Sequence, residues 1–148
     1  MARPSKEVTI RYALQDDYGW LHEQDKGNVS PDWTKRCIEQ GEYIVAEWHD
    51  MPGDLRGFIR FSLFWGKVPY LDMIRVVEGN QFQGIGSALV HFWEDQMRKR
   101  GYKMLMASSD RDEMAAQNWH WRNHYREAGK LDLGLVQPAP EVFFIKEL

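Results

Sequence analysis

The chain has 148 residues, of which 43% are hydrophobic and 14% aromatic, so it is long and apolar enough to fold around a sizeable core. Its formal net charge is −3, and without a basic surplus we expect no nucleic-acid partner. One cysteine excludes an internal disulfide framework and no apolar run approaches a membrane span, so we predict a single cytoplasmic domain over residues 1–148 with no membrane association.

The first half of the chain carries strand and helix patterns in turn. Apolar residues at every second position, Val8, Ile10 and Tyr12, predict a first strand. Ser30 and Pro31 indicate a helix start, because a hydroxyl caps free amides and proline suits the first turn. We predict, in order, a strand over residues 8–14, helices over 16–24 and 30–41, and strands over 42–49, 55–65 and 68–77.

The second half begins with an amphipathic helix. Its apolar face recurs every four residues, at Ile85, Leu89, Trp93 and Met97, and Gly101 stands where the helix is expected to end. We then predict a strand over residues 102–107, a helix over 110–128 that Gly129 ends, and strands over 131–136 and 141–146. The resulting order, β-α-α-β-β-β-α-β-α-β-β, indicates an α/β layer arrangement with a mixed sheet.

The most informative segment joins the 68–77 strand to the amphipathic helix and reads Gln81-x-x-Gly84-x-Gly86. The start of a helix presents free backbone N–H groups, and the missing side chains of glycine let an anion such as phosphate approach them. A tight strand-to-helix turn without a ligand is the alternative. The chain contains neither Gly-x-x-x-x-Gly-Lys-Ser/Thr nor Gly-x-Gly-x-x-Gly, which argues against ATP and NAD.

This loop resembles the Gln/Arg-x-x-Gly-x-Gly/Ala loop that holds the acyl-CoA pyrophosphate in the GNAT superfamily of N-acyltransferases. A second motif of that family, Asn-x-x-Ala-x-x-x-Tyr-x-x-x-Gly-Phe, is matched at Asn118, Tyr125 and Gly129. The chain departs from the family patterns at Phe82, Trp121 and Lys130. The resemblance implies a mixed, mostly antiparallel sheet with helices on both faces, and acetyl-CoA as co-substrate.

By the same resemblance, the strand over residues 71–77 would part from the next strand and pair with the pantetheine arm of acetyl-CoA. The main chain near Ile74 and Val76 would hold the thioester carbonyl, and a backbone N–H there could stabilise the oxyanion. The residues that we expect to bind the co-substrate are Ile74, Val76, Gln81, Phe82, Gln83, Gly84, Ile85, Gly86, Ser87 and Asn118.

Acyl transfer from a thioester to an amine involves a base and an acid. The amine, with a pKa of about 10.4, must lose a proton, whereas a thiol of pKa about 8.5 leaves readily and a weak acid suffices. The resemblance places Tyr125 at the general-acid position; a tyrosine packed in the core is the alternative. Asp72 shares a strand face with Tyr70 and Ile74, which makes it a candidate base, and a solvated or ion-paired aspartate is the alternative.

We interpret the chain as a GNAT-like N-acetyltransferase that moves an acetyl group from acetyl-CoA to a primary amine by direct transfer in a ternary complex. The alternatives are a non-catalytic acyl-CoA-binding or regulatory module and a generic nucleotide- or phosphate-binding protein. The sequence leaves open the acceptor, a small-molecule or peptide amine, the acyl length, and a homodimer through the late strands. His120 and His124 have the helical spacing of metal ligands, but no third ligand joins them and we expect no metal.

Overall fold

The computed structural model describes residues 7–80, 84–112 and 114–148. The strands are β1 (Val8–Tyr12), β2 (Tyr43–Trp48), β3 (Leu55–Phe64), β4 (Val68–Val76), β5 (Met104–Asp110), β6 (Arg126–Leu131) and β7 (Glu141–Glu147). The helices are α1 (Tyr18–Asp25), α2 (Pro31–Glu39), α3 (Ile85–Lys99) and α4 (Met114–Arg122), with a short 3-10 helix at Gln15–Asp17. The predicted element order is confirmed. Over the described ranges, no helix is both long and apolar enough to cross a membrane.

The strands form one seven-stranded sheet in the order β1-β2-β3-β4-β5-β7-β6. The pairs β1–β2, β2–β3, β5–β7 and β6–β7 are antiparallel, whereas β4 and β5 are parallel and join Tyr70 to Met106 and Leu71 to Ala107. A parallel pair needs a long crossover, and α3 supplies it. The predicted mixed, mostly antiparallel sheet is therefore confirmed.

The chain divides into two compact units, the first comprising Met1–Phe61 and Met73–Asp95 and the second Ser62–Asp72 and Gln96–Leu148. In the first unit, helices cover both faces of β3. A Cβ built on Gly57 would lie 3.2 Å from Leu89 of α3, while the ring of the next residue, Phe58, meets Trp20 of α1 at 6.0 Å between centroids. Successive strand residues point to opposite faces, so the predicted helices on both faces are confirmed.

A buried polar network secures the end of α1 in the first unit. The Asp25 carboxylate is completely buried and accepts hydrogen bonds from Tyr43 Oη at 2.6 Å and from Arg60 Nε at 2.8 Å. Its other oxygen accepts the Asn28 side-chain N–H at 2.9 Å. A buried carboxylate is tolerated only with such partners, so this network ties the α1–α2 turn to β2 and β3.

In the second unit, the prediction that a helix runs to residue 128 and ends at Gly129 is wrong. The helix α4 ends at Arg122, and His124 adopts the left-handed conformation with φ of 70°. The Tyr125 N–H donates to the His120 carbonyl at 2.8 Å, and the His124 N–H donates to the Trp121 carbonyl at 3.2 Å. This is the Schellman pattern of a helix C-terminus, in which a left-handed residue reverses the chain.

The early end of α4 shifts the strand that follows. The predicted strand over residues 131–136 is wrong, because β6 already occupies Arg126–Leu131 and pairs with β7. Beyond β6 the Leu133 carbonyl accepts the N–H groups of Val136 and Gln137, at 2.6 and 3.0 Å, and closes a turn. The apolar residues of this turn are exposed, Leu135 fully, so the alternation of apolar residues in this segment does not indicate a strand paired in the sheet.

Candidate active site

The β4–α3 junction is built by backbone geometry. After β4 the Asn80 N–H donates to the Val77 carbonyl at 2.9 Å, and Gly79, with φ of 89°, allows this turn. The Val77 N–H donates to the Arg56 carbonyl of β3 at 2.9 Å, which fixes where the turn leaves the sheet. Three residues predicted to bind the co-substrate lie outside the described ranges, namely Gln81, Phe82 and Gln83.

Gly84 leads the chain into α3. Its φ is 81°, a conformation that residues with a Cβ rarely adopt, and its carbonyl accepts the Ala88 N–H at 3.0 Å to close the first helical turn. Within a helix, the first amides have no carbonyl four residues earlier, so the N–H groups of Ile85, Gly86 and Ser87 point out of the helix start. They form the positive end of the helix dipole, where an anion is stabilised.

Gly86 lies against β4. A Cβ built on Gly86 would lie 3.8 Å from Ile74 Cδ1 and 3.8 Å from Val76 Cγ2. The structure thus brings together Ile74, Val76 and the start of α3. Ile85 is buried and anchors the first turn of the helix in the core.

Arg56 is a residue of this region that sequence reasoning missed. Its guanidinium donates to Asp54 at 2.6 Å and to the side-chain oxygen of Asn80 at 3.4 Å, and it lies 5.5 Å from the ring centroid of Trp48. It therefore supports the turn that precedes the glycines. No motif in the sequence marked it, because the contact joins β3 to a loop 24 residues later.

Asp72 belongs to the second unit, beside a pair of hydroxyl groups. Tyr70 Oη and Ser108 Oγ share a hydrogen bond of 2.5 Å, and the Tyr70 ring stacks on Phe143 with centroids 6.1 Å apart. Burial raises the pKa of Tyr70, the Ser108 hydrogen bond opposes this, and the nearby carboxylates of Asp72 and Glu141 raise the pKa further. The pair was not predicted, since it depends on the register between β4 and β5.

Tyr125 lies in an aromatic cluster at the C-terminal end of α4. It is 2% exposed, its ring centroid is 5.6 Å from that of His120 and 6.1 Å from that of Trp119, and the Lys146 ammonium stands 5.4 Å from it. Asn118 is exposed on the same helix. The buried ring agrees with the alternative of core packing as well as with an acid enclosed in protein.

Within the second unit, His120, which contacts Tyr125, and Tyr70, which precedes Asp72 by two residues, pack on different residues of β7. The His120 ring, which contacts Tyr125, stacks on Phe144 with centroids 4.6 Å apart, whereas Tyr70 stacks on Phe143. Phe143 and Phe144 are neighbours on a strand, so they face opposite sides of the sheet. The catalytic roles of Tyr125 and Asp72 stay predictions.

Comparison with known proteins gives a family and a fold. The family model described as the acetyltransferase (GNAT) family matches residues 8–125. Ard1 of Thermoplasma volcanium has TM-score 0.81 and 15% identity, covering 95% of this chain and 97% of its own. The ribosomal-protein-S18-alanine N-acetyltransferase of Escherichia coli has TM-score 0.77 and 18% identity, covering 95% and 94%.

A third solved structure carries a ligand in its description. The yncA protein of Salmonella typhimurium, described as an acetyltransferase with its cofactor acetyl-CoA, has TM-score 0.73 and 17% identity, with 95% of this chain and 94% of its own covered. No curated protein sequence is significantly similar to the chain. At these identities the structures are evidence for the fold alone.

Proposed function

Because the chain belongs to the acetyltransferase (GNAT) family, we propose that it transfers an acetyl group from acetyl-CoA to a primary amine by direct transfer in a ternary complex. The observation that carries the proposal is the β4–α3 junction, where Gly84 in the left-handed conformation and Gly86 against Ile74 and Val76 open the helix start to an anion. We propose that this anion is the pyrophosphate of CoA.

The donor would lie along backbone rather than side chains. Amides of residues 81–87 would hold the pyrophosphate, the main chain at Ile74 and Val76 the thioester, and Asn118 would contribute from α4. Acetyl-CoA is the cofactor named for the Salmonella typhimurium relative. These assignments rest on the resemblance and on the geometry of the junction.

The chemistry requires a proton to leave the amine and one to reach the sulfur. We propose Asp72 as the base, from its place on the strand face, and Tyr125 as the acid, by resemblance. The Asp72 carboxylate is close enough to Tyr70 to raise its pKa, and the Tyr70 hydroxyl shares a hydrogen bond with Ser108. A cytoplasmic location, the absence of nucleic-acid and membrane partners, and a homodimer remain predictions from the sequence.

A thermal shift experiment tests the donor. Acetyl-CoA or CoA at about 100-fold its Kd should stabilise the folded protein by about 2.7 kcal/mol, which raises Tm by about 5 °C or more. ATP and NAD at the same concentration should have no effect. Stabilisation by ATP alone would show a generic nucleotide- or phosphate-binding protein and refute the proposal.

A pair of glycine variants tests the site. Gly84→Ala forces a Cβ into φ of 81° at the start of α3, and Gly101→Ala does the same at φ of 89° beyond its other end, and no atom of the described residues lies within 4 Å of either Cβ. Each should lose about 1–2 kcal/mol of stability through backbone strain. Only Gly84→Ala should also lose the thermal shift with acetyl-CoA, and an equal shift in both variants would place the CoA elsewhere.

Release of free thiol separates the enzyme from a binding module. Acetyl-CoA would be mixed with a panel of polyamines, aminoglycosides, free amino acids and a peptide with an N-terminal alanine, and CoA thiol would be measured with a chromogenic disulfide. Thiol release that depends on one amine class supports the transferase and names the acceptor. Binding of acetyl-CoA without release for any amine supports the non-catalytic module.

A further inference from the structure

In the first unit, the last residues of β4 face two different helices. A Cβ built on Gly86 would lie 3.8 Å from side-chain atoms of Ile74 and Val76, so these two side chains point towards α3. Successive residues of a strand point to opposite faces, so Arg75 lies on the other face. There its Nη1 donates to the Gln24 carbonyl in the last turn of α1 at 2.8 Å. Arg75 thus stands between the two residues whose main chain would hold the thioester, but it faces α1.

Met73 shows the same alternation along β4. Its side chain packs against the buried cluster that includes Leu21 of α1 and Ile38 of α2. The early helices therefore cover the face of β4 opposite α3, with Met73 half-buried under them and Arg75 exposed to solvent. In the proposed reaction the donor lies against the start of α3, so an amine that reaches the thioester from the α1 side passes the Arg75 guanidinium.

The contact with α1 leaves most of the Arg75 guanidinium unused. An N–H of Nη1 binds a carbonyl near the end of α1, where the helix dipole favours a cation. The guanidinium has further N–H groups in a planar fork that matches the geometry of a carboxylate. Over residues 7–80, 84–112 and 114–148, no carboxylate forms an ion pair with Arg75. The Gln24 carbonyl therefore orients a fork whose charge none of these residues compensates.

The carboxylates on and just before α1 are, by contrast, mostly compensated. Three of the four between residues 15 and 25 form ion pairs with basic side chains: Arg11–Asp17 at 2.7 Å, Lys26–Glu23 at 2.8 Å and Arg60–Asp25 at 2.8 Å. Asp17 and Asp25 are also buried, and the fourth, Asp16, lies in the first turn of the short 3-10 helix. A cationic acceptor would find these carboxylates already paired, whereas an anionic acceptor would find the uncompensated charge of Arg75.

We propose that Arg75 binds a carboxylate of the acceptor, and that the acceptor is an amine with a carboxylate near its amino group, as in a free amino acid. This assignment rests on the proposed function, because it names the acceptor of the same reaction. A charge-assisted, bidentate pair with Arg75 would hold the amine nitrogen beside the thioester. The nitrogen then bonds to the carbonyl carbon and loses a proton, while the sulfur leaves with the electron pair of the C–S bond and gains one. Arg75 determines specificity and transfers no proton.

Matched pairs of amines test the assignment. Free amino acids and the carboxamides of the same amino acids would be compared by kcat/KM for thiol release from acetyl-CoA. The wild type should prefer the free amino acid by about 10- to 100-fold, the range expected for one hydrogen bond between charged groups.

Three variants show whether this preference depends on Arg75. Arg75→Gln keeps an N–H group for the Gln24 carbonyl but removes the charge, so it should lose the preference through a higher KM for the free amino acid. Arg75→Lys keeps the charge without the fork and should retain part of the preference. Arg36→Gln, which removes an exposed charge of the same sign from α2, is the control and should behave as the wild type. All three should keep the thermal shift with acetyl-CoA.

The outcomes separate this assignment from the proposed function. If the wild type releases no thiol with any amine, the proposed function fails and the role of Arg75 fails with it. If the wild type is active but treats free amino acids and their carboxamides alike, or favours polyamines or a peptide with an N-terminal alanine, the proposed function stands and the role of Arg75 is overturned. Folded Arg75→Gln with the wild-type preference, or an equal loss in Arg36→Gln, would overturn it as well.

Discussion

The helix α3 packs closely against β3 at Gly57. A Cβ there would lie 3.0 Å from the Arg75 carbonyl oxygen, 3.2 Å from Leu89 Cδ1 and 3.4 Å from Ile85 Cγ2. Overpacking of this kind costs about 1–3 kcal/mol, and the reduced freedom of the unfolded chain offsets about 0.4–1 kcal/mol. We therefore expect Gly57→Ala to lose about 1–2 kcal/mol of unfolding free energy, or about 3–6 °C in Tm.

Urea unfolding followed by tryptophan fluorescence measures this loss, with Gly19→Ala as the control. Gly19 lies in α1 with nothing near its Cβ position, so alanine there should stabilise the helix by about 0.5–1 kcal/mol. Because Ile85 begins α3, displacement by the new methyl group should also weaken stabilisation by acetyl-CoA. A Gly57→Ala protein as stable as the wild type would refute the reasoning. The Arg75 carbonyl belongs to the backbone, so its displacement by the new methyl group should cost stability.

Three further changes have defined outcomes. Asp25→Ala should lose about 3–5 kcal/mol in urea unfolding, because Arg60 is left buried without its carboxylate, and an undiminished stability would mean that Arg60 finds solvent. The pKa of His120 is about 4 in the folded protein and about 6.5 in the unfolded chain, so between these pH values the unfolded chain binds the proton preferentially. The free energy of unfolding should therefore fall by about 1–2 kcal/mol from pH 7 to pH 5, and the fall should be smaller in His120→Phe. If Tyr125 is the acid, Tyr125→Phe should lower kcat in the thiol-release assay while the acetyl-CoA thermal shift is kept, and unchanged turnover would remove it from the mechanism.

Helices whose ends are marked by capping residues were predictable from the sequence. The helix α2 begins where expected, because the Ser30 hydroxyl accepts the Trp33 N–H at 3.2 Å and Pro31 occupies the first turn. The end of α4 was not predictable, because a histidine rather than a glycine takes the left-handed position. Gly129 is the residue type expected at a helix C-terminus, so it suggested a later end. Local sequence shows which residues tolerate positive φ, but tertiary packing decides which of them adopts it.

In the candidate site too, some features were predictable from the sequence and others were not. The turn at Gly84 was predictable, because a residue without a Cβ adopts positive φ at little cost and glycine is visible in the sequence. The contact of Tyr70 with Ser108 was not, since the register of a parallel pair joined by a long crossover is not encoded in either strand alone.

A binding site formed by backbone groups is easier to predict from the sequence than one formed by side chains. The amides at the start of α3 need only the absence of a Cβ, so the residue type and the chemistry coincide. A proton donor, by contrast, needs both the right residue type and the right position. The motif tyrosine identifies the acid only if the helix end that positions it is known, and here that end lies five residues before the glycine that the sequence offers.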